Sequence, residues 1–164
     1  MTTYVDDRSR VDKLEPIVKR ILGEHLIGTA TRAADRQEAT DFWVYEIHPI
    51  RIGCRLRRYK YFQNEEYRNQ FTVRVSRPSG VPSEMGKIVD GWGDYIFYGF
   101  ANENDTDLVK WFIGDLKVFR SCLIRNRQLL RGLYMGKNRD GSSSFYAWPV
   151  DAFPKEFILA EHRQ

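Results

Sequence analysis

One carboxylate and two arginines lie at a spacing that suits phosphate chemistry. Asp41 opens a strand-like run, and Arg55 and Arg57 follow on the next run, about one hairpin later. A carboxylate in this position can hold Mg²⁺, while an arginine on the neighbouring strand can stabilise the charge of a phosphate. Asp41 is equally compatible with turn chemistry at a strand start. The two arginines are equally compatible with cross-strand ion pairs to Glu46 and Glu38.

Other common kinds of site lack their residues. A zinc site needs clustered cysteines and histidines, and no two of the five in this chain are adjacent: His25, His48, Cys54, Cys122 and His162. The segment Gly91-Trp92-Gly93 lacks the third glycine and the strand-to-helix setting of a phosphate-binding loop. No serine nucleophile elbow is present. A Cys-His pair stays open, although Cys54 on an apolar strand face is interpreted as a core residue.

Positive charge is segregated along the chain, although the net charge is only +4. Residues 116–139 contain no acid, and residues 51–60 form a second basic stretch, whereas acids gather at 35–41 and 103–107. Such segregation favours a phosphate-backbone partner, DNA or RNA, over a merely solvated helix face. The predicted phosphate contacts are Arg51, Arg58, Arg74, Lys117, Arg120, Arg125, Arg127 and Arg131.

Composition predicts a reduced, cytoplasmic globular protein. Hydrophobic residues make up 42% of the chain and charged residues 29%, and no long apolar run is present, so no membrane partner is expected. Residues 1–10 are polar, which is unlike a secretory signal. Cys54 and Cys122 are interpreted as reduced, buried side chains rather than a disulfide framework.

Hydrophobic periodicity predicts nine elements in the order α-β-β-β-α-β-β-α-β. This order indicates an α+β fold with a central mixed sheet flanked by helices, in a single domain over residues 1–164 with a flexible start at 1–10. The predicted helices cover 10–26, 83–90 and 115–130. The predicted strands cover 41–47, 51–61, 71–77, 94–101, 108–113 and 145–148.

Alternation in two of these strands separates apolar from basic side chains. Ile52, Cys54 and Leu56 are expected on one face of their strand and the arginines on the other. In an antiparallel sheet of consecutive strands, this alternation places Arg55, Arg57 and Arg74 on one side. Five aromatic residues of the second half of the chain are expected in the core more often than as base-stacking platforms: Trp92, Tyr95, Phe97, Trp111 and Phe119.

The arrangement of helix, strand with Asp41 and strand with a charged pair resembles the restriction-endonuclease-like superfamily, the PD-(D/E)XK phosphodiesterases. The stretch EATDFWVYEIHPIRIGCRLRR resembles its central hairpin, and GDYIFYGFANENDTDLVKWFIGDLKVFR resembles the hairpin and helix that follow. The resemblance covers residues 14–131 and rests on few residues. The sequence departs from the family's acid-x-lysine motif, because Arg55-Leu56-Arg57 stands in its place.

The resemblance implies a restriction-endonuclease-like fold and a Mg²⁺-dependent nuclease. Asp41 would take the place of the family's metal-binding aspartate, Glu24 would match its helical acid, and Glu46 or Glu38 would replace the missing acid. Arg55 and Arg57 would contact the scissile phosphate. Arginine keeps this contact but suits deprotonation of a nucleophile poorly, since it stays protonated.

Two other functions fit the same residues. The scaffold would bind nucleic acid without catalysis if the missing acid leaves the site without metal. Alternatively, exposed aromatics would mark a protein interface, such as that of a homodimer or of a complex subunit. The salt dependence of binding distinguishes nucleic-acid binding from a protein interface. Phosphate binding weakens steeply as the salt concentration rises, whereas a hydrophobic interface does not weaken.

Overall fold

The computed structural model describes residues 4–29, 42–44, 50–76, 82–125, 134–138, 141 and 143–163. Two compact units divide the chain, one of Met1–Pro49 with Asp105–Asp107 and one of Ile50–Asn104 with Leu108–Gln164. The prediction of a single domain stays a prediction. No helix in the described ranges has the length and apolarity needed to cross a membrane.

The first unit contains a long helix and a small antiparallel ribbon. Helix α1 (Tyr4–Leu26) begins six residues before the predicted start and carries Pro16 in its interior. Its apolar stripe lies at helical spacing, with Leu14, Val18 and Ile21 buried. Strands β1 (Ile27–Thr29) and β2 (Phe42–Val44) pair antiparallel.

The strands of the second unit form two sheets. In the first, parallel and antiparallel pairs mix in the order β3-β5-β6-β9, and in the second all pairs are antiparallel in the order β4-β8-β7. An α+β fold with a mixed sheet and helices is therefore confirmed. The strands are β3 (Ile52–Arg57), β4 (Gln70–Ser76), β5 (Tyr95–Ala101), β6 (Leu108–Asp115), β7 (Tyr134–Lys137), β8 (Ser144–Pro149) and β9 (Ile158–Arg163).

Short helices connect these strands. Ser83 caps one of them, as its Oγ accepts a hydrogen bond from the Gly86 N–H at 3.1 Å. Asp115 caps another, with Oδ1 accepting from the N–H groups of Lys117 and Val118. The helices are α2 (Tyr59–Gln63), α3 (Glu65–Arg68), α4 (Glu84–Val89) and α5 (Leu116–Arg125), with 3₁₀ turns at Val150–Ala152 and Lys155–Phe157.

The predicted pairing of consecutive strands is wrong at β3 and β4. Strand β3 pairs in parallel with β5, whereas β4 pairs with β8 in the other sheet. The predicted strand over 51–61 ends at Arg57, because residues 59–63 are helical. Tyr59 and Phe62 stack at helical spacing, with ring centroids 5.9 Å apart. The turn from β3 into α2 and α3 separates β3 from β4.

Phe71 of β4 lies at the centre of an aromatic core. Its side chain is fully buried, and ring centroids of residues from β5, β6, β8, α5 and the 3₁₀ turns lie within 5.5–6.1 Å of it. These contacts join the two sheets of the second unit. The six rings around Phe71 are Tyr98, Phe112, Phe119, Trp148, Phe153 and Phe157.

The interpretation of both cysteines as buried is wrong for Cys54. Cys54 is exposed and Cys122 is half-buried. On the side of β3 that carries Cys54, Leu56 is buried and Ile52 only half-buried. Burial also raises the pKa of the Cys122 thiol.

Cys54 is therefore expected to react with iodoacetamide well before Cys122 in the native protein, because the thiolate is the reacting form and needs access. Peptide mapping after timed alkylation at pH 8 measures the two rates. Equal rates in the folded state, or faster modification of Cys122, would contradict this burial pattern. Cys54→Ser and Cys122→Ser variants identify the peptide of each rate.

Candidate functional site

Three arginines share one side of the edge strand β3. Arg51 lies just before the strand, and Arg55 and Arg57 follow four and six residues later, so the alternation of a strand places all three on the same side. We call Arg51, Arg55 and Arg57 the arginine row. At about 3.3 Å per residue the row spans roughly 20 Å. The predicted separation of basic from apolar side chains in this strand is confirmed for Leu56, which is buried between half-buried arginines.

Asp94 neutralises the first arginine of the row. The Arg51 guanidinium donates twice to the Asp94 carboxylate, from Nε to Oδ2 at 3.3 Å and from Nη2 to Oδ1 at 3.2 Å. The backbone N–H of Arg51 also donates to Oδ2, at 2.8 Å. The side-chain hydrogen bond from Arg51, followed by the backbone one, lowers the pKa of Asp94. The Arg51 guanidinium also lies 5.6 Å from the ring centroid of Trp92.

Glu84 of α4 neutralises the second arginine. Arg55 Nη1 donates to Glu84 Oε2 at 2.7 Å, and both side chains are largely buried. The same oxygen accepts from the backbone N–H of Arg74 at 3.0 Å. Glu84 therefore links β3 in one sheet to β4 in the other. Arg55 and Arg74 lie near each other through this carboxylate and not through the predicted shared sheet.

Aromatic rings and neutral oxygens hold the third arginine. Arg57 Nη1 donates to the Tyr67 carbonyl and to the Tyr98 hydroxyl, each at 3.4 Å, and the guanidinium lies 4.3 Å from the centroid of Tyr61. The Tyr98 hydroxyl also shares a hydrogen bond with the buried Thr72. Among the described residues no carboxylate forms an ion pair with Arg57. Arg57 is therefore held in place while keeping its positive charge unneutralised.

Further cations surround Tyr61 next to Arg57. Lys60 is exposed with Nζ 5.2 Å from the Tyr61 centroid, and Arg58 occupies the N-cap position of α2. Tyr61 packs edge-on against Tyr67 at 6.1 Å, which fixes its ring. Two cations, Arg57 and Lys60, therefore lie against one aromatic side chain at this end of β3.

The basic residues of α5 have different environments. Arg120 Nη1 donates to the carbonyls of Ile88 at 3.4 Å and Gly93 at 3.1 Å, which is a structural contact. Lys117 and Arg125 are exposed. Arg127 and Arg131, predicted as phosphate contacts, lie outside the described residues. The phosphate roles predicted for the α5 residues stay predictions.

The residues proposed for Mg²⁺ are not brought together in the described part of the chain. Asp41 and Glu46 lie outside it, and Glu24 is an exposed residue near the end of α1. No group of three His, Cys, Asp or Glu residues suited to a metal occurs within the described ranges. Near the arginine row, the Glu84 oxygen already accepts from Arg55 and Arg74. One oxygen of this carboxylate, Oε2, is therefore occupied by two donors, and the Mg²⁺ site stays a prediction.

Two residues of this site carry no signal in the sequence. Glu84 is 29 residues from Arg55, and Tyr98 is 41 residues from Arg57, so neither pair carries a local signal. The core position favoured for Trp92 over a base-stacking platform is wrong, because its side chain is 62% exposed. The flanking Gly91 and Gly93 were its available signal, since two glycines predict a turn and turns lie at the surface.

Comparison with known proteins adds no functional assignment. The chain matches no family model, no curated protein and no solved structure. Function is therefore inferred from the charges, contacts and exposure of the side chains themselves.

Proposed function

We propose that this protein binds nucleic acid without catalysis, through the arginine row and the cations around Tyr61. Arg57 is the principal phosphate contact, and Lys60 and Arg58 add to the local positive charge. The half-buried position of Arg57 carries the proposal, because a cation kept in place without a carboxylate partner is suited to an anionic ligand.

The hydrogen bonds of Arg57 favour phosphate over a purely structural role. Both bonds leave from Nη1, so the edge formed by Nε and Nη2 is not used by them. That edge is the part of a guanidinium that binds a phosphate with two parallel hydrogen bonds. The rings of Tyr61 and Phe100, at 4.3 and 5.8 Å, restrict the guanidinium and reduce the entropy lost on binding.

The carboxylates beside the arginine row are engaged by its arginines, which favours binding over hydrolysis. Arg51 and Arg55 each have a carboxylate partner, Asp94 and Glu84, so their charge is balanced before any ligand arrives. A nuclease would need carboxylates free for Mg²⁺, whereas Glu84 is engaged by two donors. Mg²⁺-dependent hydrolysis and a homodimer interface stay alternative predictions.

Arg57→Ala is expected to weaken nucleic-acid binding by at least about tenfold, since one charge-assisted contact is worth roughly 1.5 kcal/mol or more. It should also reduce the slope of log affinity against log salt by about one unit. The affinity of Arg57→Lys should lie between those of the unsubstituted protein and Arg57→Ala, because lysine keeps the charge and loses the paired hydrogen bonds. Fluorescence anisotropy with labelled DNA and RNA at two salt concentrations measures both effects.

Lys155→Ala is the matched control, since it removes one positive charge from an exposed 3₁₀ turn outside the row. Each titration is run with Mg²⁺ and with EDTA. Affinity that is independent of salt, or equal loss in the Arg57 and Lys155 variants, would refute the proposed site. Cleavage of the oligonucleotide in Mg²⁺ alone would establish the nuclease alternative instead.

A further inference from the structure

Trp92 presents an exposed indole from a turn that is tightly held. The turn lies between α4 and β5, and the side chain is 62% exposed. Gly91 and Gly93 adopt φ values of +87° and +81°, which favour glycine strongly. A side chain at Gly93 would also place its Cβ 3.0 Å from Leu116 Cδ1. The backbone on both sides of Trp92 is therefore specified by the sequence.

Hydrogen bonds from several elements fix this turn. The Trp92 N–H donates to the Lys87 carbonyl at 2.9 Å and the Asp94 N–H to the Arg51 carbonyl at 2.8 Å. Arg120 of α5 donates to the Gly93 carbonyl at 3.1 Å. The backbone that carries the indole is therefore held in a defined position before any ligand binds.

Charged side chains of both signs lie next to Trp92. The Arg51 guanidinium lies 5.6 Å from the indole centroid, and Lys87 and Asp90, five and two residues earlier, are both exposed. Asp94 is already paired with Arg51, and its pKa is lowered by that bond. The observation that favours a nucleic-acid ligand here is therefore the ring itself, since an exposed aromatic side chain with a guanidinium beside it is an arrangement used to stack an unpaired base.

We propose that Trp92 is a base-stacking platform that selects single-stranded over double-stranded nucleic acid. This inference rests on the proposed function and extends it, since the row around Arg57 contacts phosphates only. Trp92 stands at the Arg51 end of the row and Tyr61 at the Arg57 end, roughly 20 Å apart along β3. A single strand lying along β3 contacts Arg57 with a phosphate and Trp92 with a base. A duplex keeps its bases stacked on each other and loses the second contact.

Trp92→Ala tests this platform. We expect an affinity loss of about 5- to 150-fold for a single-stranded oligonucleotide, DNA or RNA, the range measured for one stacked base. No change is expected for a duplex or for an abasic oligonucleotide of the same length, which offers phosphates without bases. Trp92→Phe should retain much of the binding, because phenylalanine also offers a ring face.

Tyr134→Ala is the matched control, because Tyr134 of β7 is exposed to the same 62% and lies outside the row. Thermal unfolding of each variant confirms that it is folded. The proposal predicts that Trp92→Ala weakens binding to a single strand. If this affinity is unchanged while Arg57→Ala still weakens binding, the platform is overturned and the proposed function stays intact. An equal loss of affinity for the ordinary and the abasic oligonucleotide would also overturn the platform. If the unsubstituted protein binds no nucleic acid, both proposals are overturned. If the protein self-associates and only Trp92→Ala loses this self-association, the indole belongs to a protein interface instead.

Discussion

Phe71→Ala is expected to lower the free energy of unfolding by about 3–5 kcal/mol, the cost of truncating a fully buried aromatic side chain. Phe71 is completely buried and has six aromatic neighbours, contributed by both sheets and by α5. The alanine leaves a cavity between rings that are themselves packed against one another, such as Phe119 and Trp148 at 5.4 Å. These neighbours cannot collapse into the space without losing their own contacts.

Chemical denaturation monitored by circular dichroism measures this loss. A reduction of this size is a large fraction of the 5–15 kcal/mol typical of a domain. In thermal unfolding it corresponds to a Tm lower by about 6–20 °C. Trp92→Ala serves as the control, because its ring is exposed and its removal should cost less than about 1 kcal/mol. A Phe71 variant as stable as the Trp92 variant would contradict the assignment of the core to the space around Phe71.

Substitution of Glu84 is expected to affect stability and binding in opposite directions. Glu84→Ala should lower the free energy of unfolding by about 2–4 kcal/mol, since it leaves the charge of Arg55 and the N–H of Arg74 without their shared acceptor. Glu84→Gln should cost less, because its amide oxygen still accepts a hydrogen bond. It should also tighten nucleic-acid binding severalfold, since Arg55 then keeps its full charge in the row.

Glu156→Gln is the charge-matched control, because it neutralises one exposed acid in the second 3₁₀ turn, away from the row. Denaturation and anisotropy titrations are run on the same preparations. Equal tightening in Glu84→Gln and Glu156→Gln would show that only net charge matters and would remove Arg55 from the binding surface. An unchanged stability in Glu84→Ala would contradict a linking role for the carboxylate between β3 and β4.

Local patterns in the sequence predicted the elements that depend on neighbouring residues. The cap at Ser83 and the β5–β6 hairpin are present, and in β3 Leu56 is buried between the half-buried Arg55 and Arg57. Capping, turn closure and strand alternation act within a few residues. The strand prediction failed beyond Arg57, where aromatic residues of high strand propensity form α2 instead. Strand propensity reflects packing on a pleated surface, and the stacked pair of Tyr59 and Phe62 provides helical packing instead.

By itself the sequence determined the α+β class, the buried stripe of α1 and the common side of Arg51, Arg55 and Arg57. Each follows from the residue types and their spacing along one element. Tertiary structure alone decided the parallel partner of β3, the carboxylates that neutralise two of the three arginines, and the exposure of Cys54. These features depend on residues brought together from 29 to 43 positions apart, because the free energy of packing whole elements, rather than local preference, determines which surfaces remain open to solvent.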